Sequence, residues 1–382
     1  MPEAGNARGL KSTEAGKRRL REAYKEADLT QRTLAEKAKV SEDTIKRLLG
    51  TKKCANGVDR WAIENVAKVL GLKPADIVGA KDWSDRSLSR PYPIEFKSLV
   101  EEKVRNFCGR KWVFAAFDRF LQNSKNGYFS IIGDAGMGKS SIAAKYVFDN
   151  NPICYFNIQA EGRNRPEKFL ESVRLQLIER YELESAEGKD LASLLATISA
   201  KLEEGDRLVI VVDALDEVED DRQANNILNL PTTLPEKVYF LLTRRPYTSA
   251  QKRLFVSVAT EELSLSNDAN NEIVKMNRND VKEYIRLFLN EDPEYGEAIG
   301  NWIASRQITP EQFVEELAEK SENNFMYLRY VLPAIAQGDY RDFSIKELPD
   351  GLVQYYEQHW QRMEMEGKNR PNAVLLSILV EA

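Results

Sequence analysis

Residues Gly133 to Ser141 read Gly-Asp-Ala-Gly-Met-Gly-Lys-Ser-Ser, which puts Gly133, Gly138, Lys139 and Ser140 in the spacing G-x-x-x-x-G-K-[ST]. The run Tyr128 to Ile132 before it is apolar and β-prone, and Ile142 to Phe148 after it is spaced like a helix. The loop is therefore expected to join a strand to a helix, the setting in which this pattern cradles phosphate. Its glycines, Gly136 among them, let main-chain N–H groups turn onto a phosphate, and the helix N-terminus adds the positive end of its dipole. Lys139 would serve the terminal phosphate, Ser140 the Mg²⁺, and Ser141 would close the cradle.

Two later runs continue the same sheet. Leu208-Val209-Ile210-Val211-Val212 is continuously apolar, the signature of a strand buried on both faces of a parallel sheet, and it ends in Asp213-Ala214-Leu215-Asp216-Glu217. Asp213 is placed to hold Mg²⁺, and Asp216 and Glu217 to polarise the water that attacks a γ-phosphate. Val238 to Leu242 ends in Thr243-Arg244-Arg245-Pro246, so Thr243 and one of the two arginines are candidates to sense that phosphate. Between these strands, Arg165 to Tyr181 and Lys189 to Glu204 have the helical spacing of crossover helices.

The 382 residues are enough for two to four domains. Residues 1 to 90 hold 20 Lys+Arg against 13 Asp+Glu, a charge of +7, whereas the remainder holds 35 against 47, a charge of −12. Three scattered cysteines, Cys54, Cys108 and Cys154, have no ligand partners at metal spacing, and a reducing cytoplasm is the expected setting. Met1 to Glu14 has no apolar core, and Leu208 to Val212 is far too short to span a bilayer, so no membrane partner is expected. The single histidine, His359, falls among Tyr356, Trp360 and Met363 at helical spacing and reads as structural.

The segment from about Phe107 to Gln361 resembles the NACHT-type NTPases of the STAND class. Phe107-Cys108-Gly109-Arg110-Lys111-Trp112-Val113-Phe114 is similar to the family's h-x-G-R-x-x-x-h opening motif, which implies that Gly109 and Arg110 lie near an adenine. Asp213 to Glu217 is similar to the extended acidic block D-[GAS]-h-D-E, and Leu241 to Pro246 to L-L-T-S-R-P, which implies a sensor role for Arg245. Asn323-Asn324-Phe325-Met326-Tyr327-Leu328 resembles the G-N-F-L-Y start of a helical subdomain, with Phe325 where NB-ARC relatives carry a proline near the base. Leu348 to Leu352, with Tyr355, Tyr356, His359 and Trp360, resembles the opening of a winged helix, expected to be incomplete at Ala382.

In the basic front, five short amphipathic helices are expected: Lys17 to Glu26, Gln31 to Lys39, Ser41 to Leu49, Val58 to Leu70 and Pro74 to Val78. The second and third resemble the Cro/lambda-repressor helix-turn-helix, with Leu34, Ala35, Ala38, Val40, Ile45 and Leu48 as core and Ser41 as cap of the recognition helix. As a DNA reader, the unit would present Gln31, Lys46, Arg47, Lys52 and Lys53 to phosphates and Thr44 to a base edge. Glu42 and Asp43 at the same helix end oppose phosphate binding, which keeps open the alternative of a protein-interaction adaptor.

The expected architecture is multidomain: an all-α helix-turn-helix unit (13–80), a linker (81–93), an α/β P-loop NTPase core on a parallel sheet (94–265), a helical subdomain (266–345) and the start of a winged helix (346–382). The resemblance implies ATP and ADP with Mg²⁺ as ligands, slow hydrolysis, an unknown activating ligand and homo-oligomerisation on activation, with bacterial anti-phage defence as a setting. An ATP-regulated transcription regulator and an AAA-type motor ATPase are the rival functions.

Overall fold

The computed structural model describes residues 10–38, 40–52, 58, 60–80, 83, 92–181, 183, 190–203, 205–219, 226–247, 253–266, 271–292 and 295–362. Most of the expected linker, Lys53, and all of 363–382 lie outside them, and with the last of these the body of the expected winged helix.

The front unit is built from α1 (Glu14–Glu26), α2 (Gln31–Ala38), α3 (Glu42–Leu49), α4 (Arg60–Val69) and α5 (Pro74–Val78). Local chemistry explains where these helices start and stop. The Thr13 side chain accepts from the Gly16 N–H at 2.9 Å, Ser41 does the same for Thr44 at 3.1 Å, and Gly50 ends α3 at φ 74°. Leu34, Ala35, Ala38, Ile45 and Leu48 are buried together with Leu20, Ile63 and Val66, while Val40 at the corner is half-buried. A Cβ on Gly16 would stand 1.7 Å from the Ile77 carbonyl oxygen, so α1 and α5 meet backbone to backbone.

After α6 (Ile94–Val104) and α7 (Lys111–Asn123) comes a five-stranded sheet. Its elements in chain order are β1 (Gly127–Ile132), α8 (Lys139–Asn150), β2 (Ile153–Phe156), α9 (Pro166–Tyr181), α10 (Leu191–Lys201), β3 (Leu208–Asp213), β4 (Val238–Arg244) and β5 (Thr260–Ser264). Every pairing is parallel, and the spatial order is β2-β3-β4-β1-β5. β1, β2, β3 and β4 are buried almost throughout, which accounts for their apolar runs. β2 and β5 are the edge strands, and on β5 Thr260, Glu261 and Glu262 are exposed. α6 lies along α8, and α8 packs on β3 and β4.

The remaining helices, α11 (Asn271–Glu291), α12 (Gly296–Ser305), α13 (Pro310–Lys320) and α14 (Phe325–Gln337), gather around Val281, Ile285, Phe313, Leu317, Tyr327 and Val331. α13 starts on a reciprocal Thr309–Gln312 capping box with Pro310 at its first position. α15 (Gly351–Arg362) packs on α14 and contains His359. Among the described residues no helix is long and apolar enough to cross a membrane. The chain is thus a helical front unit followed by an α/β unit on a parallel sheet and a further set of helices.

Candidate nucleotide site and helix-turn-helix face

The phosphate loop leaves β1 at Ile132 and enters α8 at Lys139, with Gly136 and Gly138 at φ 83° and 84°. A Cβ on Gly138 would meet nothing within 4 Å, so that side of the loop is open. Each successive loop carbonyl from Gly133 to Met137 is held by a donor, two from Lys139 within the motif and three from outside it. Lys139 Nζ donates to the carbonyls of Gly133 (2.7 Å) and Asp134 (2.9 Å), Asn324 Nδ2 to Ala135 (3.0 Å), the Phe325 N–H to Gly136 (3.0 Å), and Arg110 Nη2 to Met137 (2.8 Å). Burial lowers the pKa of Lys139, opposed by the charges of Asp216 and Asp213.

The strand order decides which groups face this loop. β4 lies between β1 and β3, so Thr243 reaches the end of β3. Its hydroxyl donates to Asp213 Oδ1 and accepts from the Ala214 N–H at 3.0 Å. The Asp213 carboxyl is pushed up by burial and pulled back by Thr243, Ser140 and Lys139. The Ser140 hydroxyl and Asp213 carboxylate form an all-oxygen donor pair of the kind Mg²⁺ takes beside nucleotide phosphates, so the residues fit that ion.

Asp216 and Glu217 sit on a 3₁₀ turn, Leu215–Glu217, that Ala214 opens with a left-handed φ of 54°. Burial is the main reason the Glu217 carboxyl is raised, reinforced by Asp216 and Asp213 and offset by Arg245 and a hydrogen bond from the Gln159 main chain. The two arginines part company. Arg245 is exposed, with Nε 3.2 Å from Asp216 Oδ2 and its N–H 2.9 Å from Asp216 Oδ1. Arg244 is buried, 3.7 Å over the Tyr247 ring and 2.8 Å from Glu262 Oε1 on β5.

Gly109 and Arg110 contact the helices that follow the sheet. Gly109 has φ 67°, and a Cβ there would fall 2.4 Å from Asp280 Oδ1. Arg110, also left-handed at φ 58°, is buried with its guanidinium on Asn277 Oδ1, 3.6 Å from Asp280 Oδ2 and 4.8 Å over the Phe325 ring. Burial brings this arginine down to about 10. Trp112 Nε1 donates to Asp280 at 2.9 Å, and Asn277 Nδ2 to the Leu265 carbonyl at 2.7 Å.

Sequence reasoning missed Asn277, Asp280 and the reach of Asn324. An asparagine before an apolar helical run is a recognisable helix start, but nothing local says that its amide touches a loop 189 residues earlier. It also missed Asn157 at the end of β2. That residue is buried, with Nδ2 on the Asp213 carbonyl at 2.6 Å and its Oδ1 without a partner among the described residues.

On the front unit, the residues proposed for DNA are engaged internally. Thr44 Oγ1 lies 2.9 Å from Ser41 Oγ in the cap of α3. Lys46 pairs with Glu42 at 2.9 Å and Lys52 with Asp43 at 2.5 Å. Arg47 is half-buried with Nε unpartnered among the described residues, and its Nη2 would lie 3.7 Å from a Cβ on Gly205 just before β3. Gln31 is half-buried at the start of α2.

Residues 110–245 match the family model of the nephrocystin 3 N-terminal domain, and residues 19–82 that of the Cro/C1-type HTH DNA-binding domain. These matches fit a NACHT-type STAND NTPase with an N-terminal helix-turn-helix. Among solved structures, a chain from a structure of Drosophila ORC bound to DNA aligns at 11% identity with a TM-score of 0.34, over 64% of this chain and 66% of that one. The present chain thus spans about two thirds of that protein's length. A search of curated proteins returns no match.

Proposed function

We propose that this chain is an ATP-dependent DNA-binding regulator that works as a nucleotide-controlled switch. The observation that carries the reading is the meeting of three strand ends: Thr243 on β4 hydrogen-bonds Asp213 on β3, Asp216 beyond β3 pairs with Arg245 beyond β4, and Lys139 after β1 feels the charges of both acids. On this reading Gly133, Gly136, Gly138, Lys139, Ser140 and Ser141 hold the phosphates, Gly109 and Arg110 adjoin the base, and Ser140 and Asp213 hold Mg²⁺. Bound Mg²⁺ would supply charge to the phosphates. Thr243 orients Asp213, Glu217 in its raised state takes the proton of the attacking water, and Arg245 exchanges Asp216 for the γ-phosphate. Such an exchange makes ATP and ADP distinguishable. Moving a population from 1:99 to 99:1 requires about 5.5 kcal/mol of differential binding, to which a charge-assisted contact contributes about 1.5–3 kcal/mol.

Residues 13–80 are the output in this scheme, opened by ATP and presented by homo-oligomerisation. The internal ion pairs Glu42–Lys46 and Asp43–Lys52 favour a second reading of the same unit as a protein-interaction adaptor. An AAA-type motor would instead turn over at roughly 10 per second. The resemblance to bacterial NACHT proteins makes anti-phage defence the setting to examine first.

Particle mass measured with ADP and with a non-hydrolysable ATP analogue, with and without duplex DNA, separates these readings. A switch grows in mass with the analogue, and Lys139→Ala does not. A dimer of constant mass that binds DNA only with ATP would replace the switch by a plain regulator.

A further inference from the structure

We propose that Asn324, outside the phosphate loop, is a positioning residue for the nucleotide's phosphates, acting through the loop's main chain; this rests on the nucleotide-binding reading above. Asn324 does two separable things at the start of α14. Its Oδ1 accepts from the Met326 and Tyr327 N–H groups at 3.0 and 3.3 Å, which caps the helix. Its Nδ2 donates to the Ala135 carbonyl at 3.0 Å, which no cap requires.

The second bond has a consequence inside the loop. Among the described residues every peptide is trans, so the N–H of each lies opposite its carbonyl. Holding the Ala135 carbonyl toward α14 turns the Gly136 N–H away from it, and the Phe325 N–H treats the next peptide alike at the Gly136 carbonyl. The Met137 N–H in that next peptide closes the turn on Asp134 at 3.4 Å, so Gly136 contributes the N–H whose direction Asn324 sets for an anion. Gly136 itself is shaped by this approach. At φ 83° it already disfavours a side chain, and a Cβ there would stand 2.1 Å from Asn324 Oδ1. The glycine between the fixed positions of the motif is thus the place where the following helices touch the phosphate cradle. Neither Lys139 nor Arg110 can substitute, since they hold the carbonyls on either side.

Asn324→Ser tests this in the full chain, because serine keeps a capping oxygen and is too short to reach Ala135. The variant is expected to lower the ligand-free Tm only slightly, since the bond it loses is exposed, while its affinities for fluorescent ATP and ADP fall about five- to tenfold, the effect of one hydrogen bond. Competition by adenosine, which has no phosphates, is expected to be unchanged. Asn324→Ala loses the cap too, so its Tm falls further while its affinities match those of the serine variant. Unaltered ATP and ADP affinity in Asn324→Ser, or an equal loss for adenosine, would overturn the assignment. A wild-type chain that bound neither ATP nor ADP would remove the nucleotide reading itself, whereas a binding wild type with an unaffected serine variant would remove only this inference.

Discussion

Asp216 and Glu217 are neighbours in sequence, but the turn that carries them gives each a different surrounding. Asp216 is engaged by Arg245, whereas Glu217 is raised by burial and by the acids beside it. A raised base is ionised only above its own pKa. Hydrolysis measured in single turnover should therefore decline on acidification at a pH above the usual carboxylate range, and be fully present on the alkaline side. Glu217→Gln should remove that limb and slow hydrolysis by about 10² to 10⁴ while leaving ATP binding intact. An unchanged profile in the variant would hand the role to Asp216. The arginines give a paired test. Arg245→Ala should weaken ATP about tenfold or more and ADP much less, because a charge-assisted bond is at stake. Arg244→Ala should leave the ATP/ADP ratio alone and lower Tm, since it removes a stacked, buried partner of Tyr247 and Glu262. A swap of these two results would move the sensor by one residue.

At the scale of elements, the strands announced by continuous apolar runs were legible and the others were not. β2 is only Ile-Cys-Tyr-Phe, too short to stand out, and β5 reads Thr-Glu-Glu-Leu-Ser, a polar segment that becomes a strand because β1 offers it an open edge. The start of the recognition helix was legible at its capping Ser41, whereas α1 begins behind a Thr13 cap at Glu14, three residues before the expected Lys17, because the first turn is polar and carries no apolar period. The recognition helix is the element whose function its own charges leave most open. Its two surface ion pairs add little stability, yet they occupy Lys46 and Lys52. Glu42→Gln with Asp43→Asn should free both lysines, tighten DNA binding and steepen the log-log salt slope by about 2, while removing two acids that favour the helix N-terminus. DNA affinity that ignored the change would favour the adaptor.

At the scale of the whole molecule, several polar contacts from the helices that follow the sheet converge, among the described residues, on the loop and on the segment before α7. Asp280 is the centre of one: it receives Trp112 and the Arg110 main chain, and it lies against the buried guanidinium. Asp280→Ala should cost about 3–5 kcal/mol in denaturant unfolding of the ligand-free chain, because Arg110 would stay buried without its carboxylate. A loss under about 1 kcal/mol would show that Asn277 and the Met137 carbonyl suffice for the arginine. The front unit meets the sheet unit through α4 on α8 and through Arg47 near Gly205, which makes the exposure of α3 a property of the assembled chain.

By itself the sequence determined the loop, the acids that follow the strand Leu208 to Val212, the Thr-Arg-Arg-Pro end and the helix-turn-helix core, since each is written in contiguous residues whose spacing matches one backbone geometry. Only the tertiary structure decided that β4 lies between β1 and β3, that Arg245 rather than Arg244 faces Asp216, and that Asn277, Asp280 and Asn324 grip the loop and the segment before α7. Parallel strands are joined by crossovers, so their order is set by how distant helices pack and leaves no mark on the local pattern. A side chain that acts on a backbone more than a hundred residues away is likewise invisible until the chain has closed on itself.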